Sequence, residues 1–215
     1  MAAKAVIFDM DGVLIDSEPV YIGMFRTFLL EHGCRIDEAL LMTLAGASAG
    51  ETWRIMAKLW YEETDPEALH QLFRREHPDF RIDYKAVMFP EVLELLQWLK
   101  ERGVIMAVAS SSSEQSIRRM FEETGFGPYF SFLVSGKQFR ESKPGPEIYL
   151  YTLSRLGLPA EDCLVVEDSV YGIQAAKAAG LRVVAIRDQR FSSDQSAANR
   201  LIDRVSDLKE IFEEL

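Results

Sequence analysis

The 215-residue sequence predicts an α/β fold in which a doubly wound parallel sheet carries an inserted helical subdomain. Short apolar runs rich in Val and Ile show little alternation, as expected for strands covered by helices on both faces. From residue 87 onward, helical patterns alternate with these runs. A block of helical patterns without a strand precedes that alternation. These observations indicate one large domain with an insertion.

Five apolar runs are the predicted strands of the sheet. They are KAVIF (4–8), VIMAVA (104–109), SFLVS (131–135), CLVV (163–166) and RVVAI (182–186). The intervening helices begin at Pro or Ser and end at Gly, which are typical helix boundaries. They are PEVLELLQWLKERG (90–103), SEQSIRRMFEETG (113–125), PEIYLYTLSRLG (146–157) and SVYGIQAAKAAG (169–180).

The insertion is predicted to span residues 17–85, which leaves 1–16 and 86–215 as the sheet-containing core. The helical patterns of the insertion cover residues 18–33, 37–46, 50–63 and 65–77. A block of this length is too long for a simple crossover between two strands. The hinges are expected near residues 16–18 and 84–88.

Composition excludes several classes of protein. The formal charge of −10 and a pI near 4.9 exclude nucleic acid binding through bulk electrostatics. Cys34 and Cys163 lie far apart in the sequence and are predicted to be buried, reduced thiols. His32, His70 and His77 lack metal-ligand spacing and are interpreted as surface or structural residues. No apolar run is long enough to span a bilayer and no signal-peptide pattern is visible, so we expect a cytoplasmic protein. A monomer is expected, with the oligomeric state left open.

Polar residues follow the predicted strands at their carboxyl ends, where ligands bind in open parallel sheets. Two aspartates follow the first strand, four serines the second, and two acids the fourth. A lysine precedes the Pro-initiated helix between the third and fourth strands. The candidate site residues are Asp9, Asp11, Ser110, Ser111, Lys143, Glu167 and Asp168.

These residue types suit phosphoryl transfer. Clustered carboxylates are the hard oxygen ligands that Mg²⁺ prefers. Asp9 could attack phosphorus as a nucleophile, and Asp11 could act as general acid and then base. Ser110, expected at a helix N-terminus, could donate to phosphate oxygens, and Lys143 supplies a positive charge. Magnesium with such donors can neutralise the charge that develops on the transferring group.

Each pattern alone has a plainer interpretation as a turn or a helix cap. The DxDG pattern also resembles the start of an EF-hand loop. Positions 5 and 12 of that loop would be Val13 and Val20, and a strand precedes the pattern, so an EF-hand is excluded. The order and placement of the whole set favour a phosphoryl-transfer site.

With these motifs in place, the sequence resembles the haloacid dehalogenase (HAD) superfamily over nearly its whole length. The matching motifs are DMDGV (9–13), the serine that closes VIMAVAS (Ser110), SKP with Lys143, and EDS (167–169). The resemblance implies a Rossmann-like core with an inserted α-helical cap. Within the superfamily, the sequence most resembles the β-phosphoglucomutase-like phosphatases. An aspartate as the first acid favours phosphoryl transfer over dehalogenation.

The resemblance also implies a role for each site residue. Asp9 would be the nucleophile and a Mg²⁺ ligand. Asp11 would be the acid/base and would lend a backbone carbonyl to the metal. Ser110, Ser111 and Lys143 would bind the phosphoryl group. Asp168 would complete the metal site, with Glu167 as a ligand or as a group that supports the ligands.

Three hypotheses for function follow. The first is a Mg²⁺-dependent phosphatase that hydrolyses a small phosphorylated metabolite, such as a sugar phosphate, through an aspartyl phosphate. The second is a β-phosphoglucomutase, but the cap loop LAGASAGETW has Ala49 where a phosphate-binding arginine is expected, and Ser113 stands where a lysine is expected. The third is a non-catalytic phosphate-binding module. Specificity residues are expected near 45–54 and 74–85.

Overall fold

A six-stranded, all-parallel sheet forms the centre of the computed structural model, which describes residues 3–45, 47, 49–187 and 194–214. The side chains of residues 49, 213 and 214 are not described. The strands are β1 (Ala5–Phe8), β2 (Ile105–Ser110), β3 (Phe132–Ser135), β4 (Cys163–Glu167), β5 (Arg182–Ile186) and β6 (Arg200–Ile202), and their order across the sheet is β3-β2-β1-β4-β5-β6. The first strand is central, so the chain winds outward in both directions, which confirms the predicted Rossmann-like α/β fold.

The ten described helices are α1 (Glu18–Glu31), α2 (Glu38–Met42), α3 (Ala49–Leu59), α4 (Pro66–Glu76), α5 (Tyr84–Val87), α6 (Val92–Glu101), α7 (Glu114–Thr124), α8 (Glu147–Leu156), α9 (Val170–Ala178) and α10 (Leu208–Glu214). Helices α8 and α9 pack on one face of the sheet, where their apolar residues form a buried cluster with Ala5 and Ile7. Phe8 points to the other face and packs edge-on against Phe130, with ring centroids 5.9 Å apart. Phe130 stacks on Phe121 of α7, so helices cover both faces.

The predicted strands all form, and their observed ends differ from the predicted ends by one residue at most. The short edge strand β6 and the helix α10 were not predicted. Arg200 and Leu201 of β6 are exposed, so the strand lacks the buried apolar run that identifies the others. The predicted helix over 37–46 is shorter, because α2 ends at Met42 and turns follow it. Gly46, its predicted end, lies outside the described residues.

The chain divides into two compact units, residues 1–16 with 83–215 and residues 17–82. The helical unit has an aromatic core in which Phe25 packs against Trp53 and Phe73, with ring centroids 5.5 and 5.3 Å apart. His70 stacks on Trp53, and His77 lies against Phe73. These two histidines therefore have a structural role, which is one of the two roles, surface or structural, that the sequence predicted.

Both cysteines are buried free thiols, as predicted. Burial raises the pKa of Cys163 to about 11, so its thiol stays protonated at neutral pH. Among the described helices, none is long and apolar enough to cross a membrane.

Candidate active site

The register of the central strands brings the predicted site residues to one edge of the sheet. Phe8 pairs with Val108 on one side and with Val166 on the other. Asp9 therefore emerges between the residues that follow them on β2 and β4, Ala109 and Glu167. The Asp9 backbone N–H also donates to the Val166 carbonyl at 3.0 Å, which extends the β-ladder by one bond and makes the nucleophile candidate part of the rigid sheet.

Lys143 joins the groups at this edge. Its Nζ lies 2.6 Å from Asp9 Oδ1, 2.6 Å from Glu167 Oε1 and 3.0 Å from the Ala109 carbonyl oxygen. The lysine is buried, and an ammonium has three N–H donors, so all three donors have a partner in this arrangement. The structure thus brings together three of the predicted site residues through one buried amine.

Asp9, Glu167 and Asp168 form a group of buried carboxylates. One oxygen from each residue lies within 4.8 Å of the other two. Oxygen donors that are all carboxylates suit a hard divalent cation such as Mg²⁺. Burial without full charge balance also favours a cation there, because Lys143 provides one positive charge against three acids. The residues present therefore fit the metal that the family resemblance implies.

The electrostatics of the cluster follow from its burial. Burial raises the pKa of Asp9 to about 7, although the Lys143 ammonium opposes this shift and the neighbouring acids Glu167 and Asp11 add to it. Burial alone would lower the pKa of Lys143, but the carboxylates of Asp9 and Glu167 outweigh it and raise that pKa well above its usual range. The lysine is therefore charged at every working pH.

Asp11 contacts the serine loop that follows β2. Ser112 Oγ donates a hydrogen bond of 2.9 Å to Asp11 Oδ2. This contact was not predicted, although Ser112 lies in the serine run that the sequence singled out. The contact fixes one oxygen of the acid/base candidate.

Ser110 is the last residue of β2, and it does not lie at a helix N-terminus as the sequence suggested. Helix α7 begins four residues later, and its N-cap is Ser113, whose side chain accepts from the Ser116 N–H. Ser110 Oγ instead accepts from the Ser112 N–H at 3.0 Å, while Ser111 Oγ lies 3.3 Å from Ser142 Oγ. The expectation of a helix N-terminus at Ser110 was wrong because the loop after β2 is longer than a capping turn.

Two glycines make the carboxylate cluster possible. Gly12 has a φ of 78°, and a Cβ built on it would lie 2.0 Å from Asp168 Oδ2. Gly172, in the first turn of α9, would place a Cβ 1.9 Å from Glu167 Oε1. Only a residue without a side chain fits against either carboxylate. The DxDG pattern pointed to Gly12, whereas the sequence around Gly172 is that of an ordinary helix and gives no sign of this contact.

Two further residues escaped sequence-based prediction. Tyr149 donates from its hydroxyl to Glu167 Oε1 at 2.6 Å. Burial and the Glu167 carboxylate raise the pKa of this tyrosine well above its usual range, so it remains a donor. Gln195 donates from Nε2 to the carbonyl oxygens of Asp168 at 2.5 Å and Ile186 at 2.7 Å. Neither residue lies in a sequence motif, and an apolar helix or a polar loop gives no signal of such a contact.

Comparison with known proteins places the chain in a family. A model of the haloacid dehalogenase-like hydrolases matches residues 6–186. The phosphorylated carbohydrates phosphatase of Thermotoga maritima is 32% identical over 180 residues, which cover 83% of this chain and 82% of the relative. The fructose-1-phosphate phosphatase YqaB of Escherichia coli is 31% identical over 185 residues, which cover 85% and 95%.

A solved structure shows the same likeness in three dimensions. A proposed β-phosphoglucomutase from Thermotoga maritima superposes with a TM-score of 0.77 at 28% identity and covers 99% of both chains. The chain therefore belongs to the haloacid dehalogenase-like hydrolases. Within that family it is a phosphomonoester hydrolase, in agreement with the matched phosphatases and with the phosphoryl-transfer groups at its sheet edge.

Proposed function

We propose that the chain is a Mg²⁺-dependent phosphatase that hydrolyses a small phosphorylated carbohydrate through an aspartyl phosphate on Asp9. The observation that carries this proposal is the buried Lys143 amine, 2.6 Å from Asp9, within a group of carboxylates. This arrangement offers a nucleophile, a positive charge and a metal site within a few ångströms. A purely structural ion pair between Lys143 and Asp9 would not need further buried carboxylates beside it.

The chemistry divides into two displacements at phosphorus. In the first, an Asp9 oxygen forms a bond to phosphorus, the bond to the leaving oxygen breaks, and Asp11 gives that oxygen a proton. In the second, Asp11 takes a proton from water, whose oxygen attacks phosphorus and releases the Asp9 carboxylate and phosphate. Lys143 stabilises the negative charge on the phosphoryl oxygens, and the buried position of Asp9 limits the approach of bulk water.

Asp9, Glu167 and Asp168 would hold the Mg²⁺, with Asp11 contributing its backbone carbonyl as the family resemblance implies. The ion supplies positive charge for the phosphoryl oxygens when it is bound. The raised pKa of Asp9 supports this assignment, since a neighbouring cation favours the ionised carboxylate that the nucleophile must be.

The proposed substrate class draws on the relatives, two of which are named for phosphorylated carbohydrates and for fructose 1-phosphate. The helical unit of residues 17–82 is inserted after β1, at the position in the chain where the resemblance implies a cap. We assign to it the recognition of the leaving group, through residues near 45–54 and 74–85. Gly46 and Ser48 of the first stretch lie outside the described residues.

A phosphate-release screen tests the proposal. The purified chain is assayed with Mg²⁺ against hexose, pentose and glycerol phosphates and 4-nitrophenyl phosphate, and Asp9→Asn is assayed beside it. We expect turnover of at least one sugar phosphate, and we expect Asp9→Asn to lower kcat by at least about a thousandfold. Asp203→Asn is the matched control, because the same chemical change falls on an exposed carboxylate paired with Arg187 at the surface. Turnover that survives Asp9→Asn would refute the assignment.

The alternative function, a β-phosphoglucomutase, draws on the likeness to the proposed mutase of Thermotoga maritima, which is 28% identical and covers 99% of both chains. A mutase must hold a bisphosphate by both ends, and the chain has Ala49 and Ser113 where basic residues are expected. Ser113 serves instead as the N-cap of α7. The two functions separate in one assay with β-glucose 1-phosphate and a bisphosphate activator: a phosphatase releases phosphate, whereas a mutase accumulates glucose 6-phosphate.

A further inference from the structure

The hydroxyl of Tyr149 makes a contact with the site that no sequence motif assigns. We propose that Tyr149 is a positioning residue, whose hydroxyl fixes Glu167 and, through it, the Lys143 amine that binds the transferring phosphoryl group. This inference rests on the proposed phosphoryl-transfer function. It concerns one hydrogen bond of 2.6 Å between Tyr149 Oη and Glu167 Oε1, with both side chains fully buried.

The Glu167 carboxylate is held on every side. Its Oε1 accepts from Lys143 and from Tyr149, each at 2.6 Å. Its Oε2 accepts from the Ser169 hydroxyl at 3.2 Å and from the backbone N–H groups of Asp168 and Ser169. Gly172 closes the remaining side, since a Cβ there would overlap the carboxylate. Oε2 is therefore anchored by the backbone and by Ser169, whereas Oε1 is placed by two side-chain donors, the lysine and the tyrosine.

The three donors of Lys143 have different surroundings. Two of them reach fixed acceptors, the Ala109 carbonyl of β2 and Glu167 Oε1. The third reaches Asp9 Oδ1, on the carboxylate that becomes the aspartyl phosphate in the proposed reaction. An amine held by two fixed acceptors keeps its third N–H directed at the reacting group. Removal of the Tyr149 hydroxyl frees Oε1 to follow the amine, and that direction is lost.

Tyr149 can be tested without a change in packing. Its ring belongs to the buried cluster between the sheet, α8 and α9, and lies 5.2 Å from Lys143 Nζ, so Tyr149→Phe keeps the ring and both of these contacts. Tyr151 is the matched control, because it lies on the same helix, is 41% exposed and packs against Phe139. The two variants remove the same atom, one at the site and one at the surface.

The first measurement separates an effect on the position of the Lys143 amine from an effect on substrate binding. With 4-nitrophenyl phosphate and saturating Mg²⁺, Tyr149→Phe is expected to lower kcat about tenfold and to leave KM within about twofold, because a misdirected amine matters most where charge develops. Inhibition by orthovanadate, which adopts the geometry of the transition state, should weaken by the same factor, whereas inhibition by inorganic phosphate should not change. Tyr151→Phe should match the unaltered chain. Equal losses for vanadate and phosphate, or an unchanged kcat, would overturn the proposal.

The second measurement needs no turnover. NMR of the chain with ¹⁵N-labelled lysine reports how firmly the Lys143 ammonium is held, because a buried, hydrogen-bonded ammonium exchanges its protons with water slowly; Lys143→Arg identifies its signal. We expect a slowly exchanging Lys143 signal in the unaltered chain and in Tyr151→Phe, and proton exchange about tenfold faster in Tyr149→Phe. Equal exchange rates in all three chains, or loss of cooperative thermal unfolding in Tyr149→Phe, would contradict a positioning role. If no phosphate ester is hydrolysed at all, the proposed function fails, and the exchange rate still decides whether the tyrosine fixes the amine.

Discussion

Gly172→Ala offers a sharp structural test of the buried network. The added Cβ would lie 1.9 Å from Glu167 Oε1, 2.0 Å from its Cδ and 2.1 Å from its Oε2. An ordinary contact needs at least 3.4 Å, so the carboxylate must retreat by about 1.5 Å. A displacement of that size breaks the 2.6 Å hydrogen bonds of Glu167 with Lys143 and Tyr149.

The magnitude follows from those two bonds. Each hydrogen bond to a charged group contributes about 1.5–3 kcal/mol, so their loss costs about 3–6 kcal/mol. The better helix propensity of alanine returns about 1 kcal/mol. We expect a net loss of about 2–5 kcal/mol in the free energy of unfolding, together with a loss of phosphatase activity of about a hundredfold or more, since Lys143 also loses a fixed partner.

Urea unfolding followed by circular dichroism, with phosphate release measured in parallel, checks both expectations. Gly23→Ala is the control, because Gly23 also lies in a helix, α1, but a Cβ built there meets nothing within 4 Å. That substitution should leave activity unchanged and stabilise slightly. If Gly172→Ala is as stable and as active as the unaltered chain, the Glu167 carboxylate does not lie against Gly172.

Asp9, Cys163 and Gln195 can each be tested separately. Burial raises the pKa of Asp9 to about 7, and Mg²⁺ binds the ionised carboxylate. The apparent dissociation constant for Mg²⁺ should therefore rise as pH falls below about 7 and level off above it. Calorimetry at several pH values checks this expectation, and a pH-independent affinity would contradict it. Cys163, with its pKa raised to about 11, should resist a disulfide reagent in the native state at about pH 8, and rapid native labelling would show instead that the thiol is accessible. The stability that this thiol contributes should be lost as pH rises from about 8.5 towards 11, because the thiol of the unfolded chain releases its proton first. Gln195→Ala removes the hydrogen bonds to the carbonyls of Asp168 and Ile186. The substitution should lower the free energy of unfolding by about 1–3 kcal/mol and weaken Mg²⁺ binding, and thermal unfolding with and without the metal measures both effects. An unchanged melting temperature under both conditions would show that these hydrogen bonds do not support the site.

The central strands and the first motif were predictable because one physical cause acts on both. A strand covered on both faces must be apolar throughout, so AVIF stands out, and the residue that follows it must emerge at the ligand edge of the sheet. Asp9 and Asp11 were therefore identifiable without a structure. β6 was not, because an edge strand with exposed Arg200 and Leu201 has no such apolar run.

The supporting residues of the site were hidden for a different reason. Tyr149 sits in α8 among apolar residues, and its sequence context is that of a core aromatic residue. Its hydroxyl acquires a role only when folding brings β4 beside it. Gly172 and Gln195 likewise depend on the approach of Glu167 and Asp168 in space, and single-sequence patterns do not contain these distances. The residues proposed to react were thus predictable from the sequence, and the structure adds the residues that contact Glu167 and Asp168.

The proposed aspartyl phosphate on Asp9 can be trapped and located by acid quenching. The chain is mixed with radiolabelled 4-nitrophenyl phosphate and Mg²⁺, quenched with acid within the first turnover, and digested for peptide mapping. We predict a labelled peptide that contains Asp9, lost in Asp9→Asn and accumulating in Asp11→Ala, where water is no longer activated to release it. Phosphate release in a burst without protein-bound label, or label on a peptide that lacks Asp9, would contradict an aspartyl phosphate on Asp9.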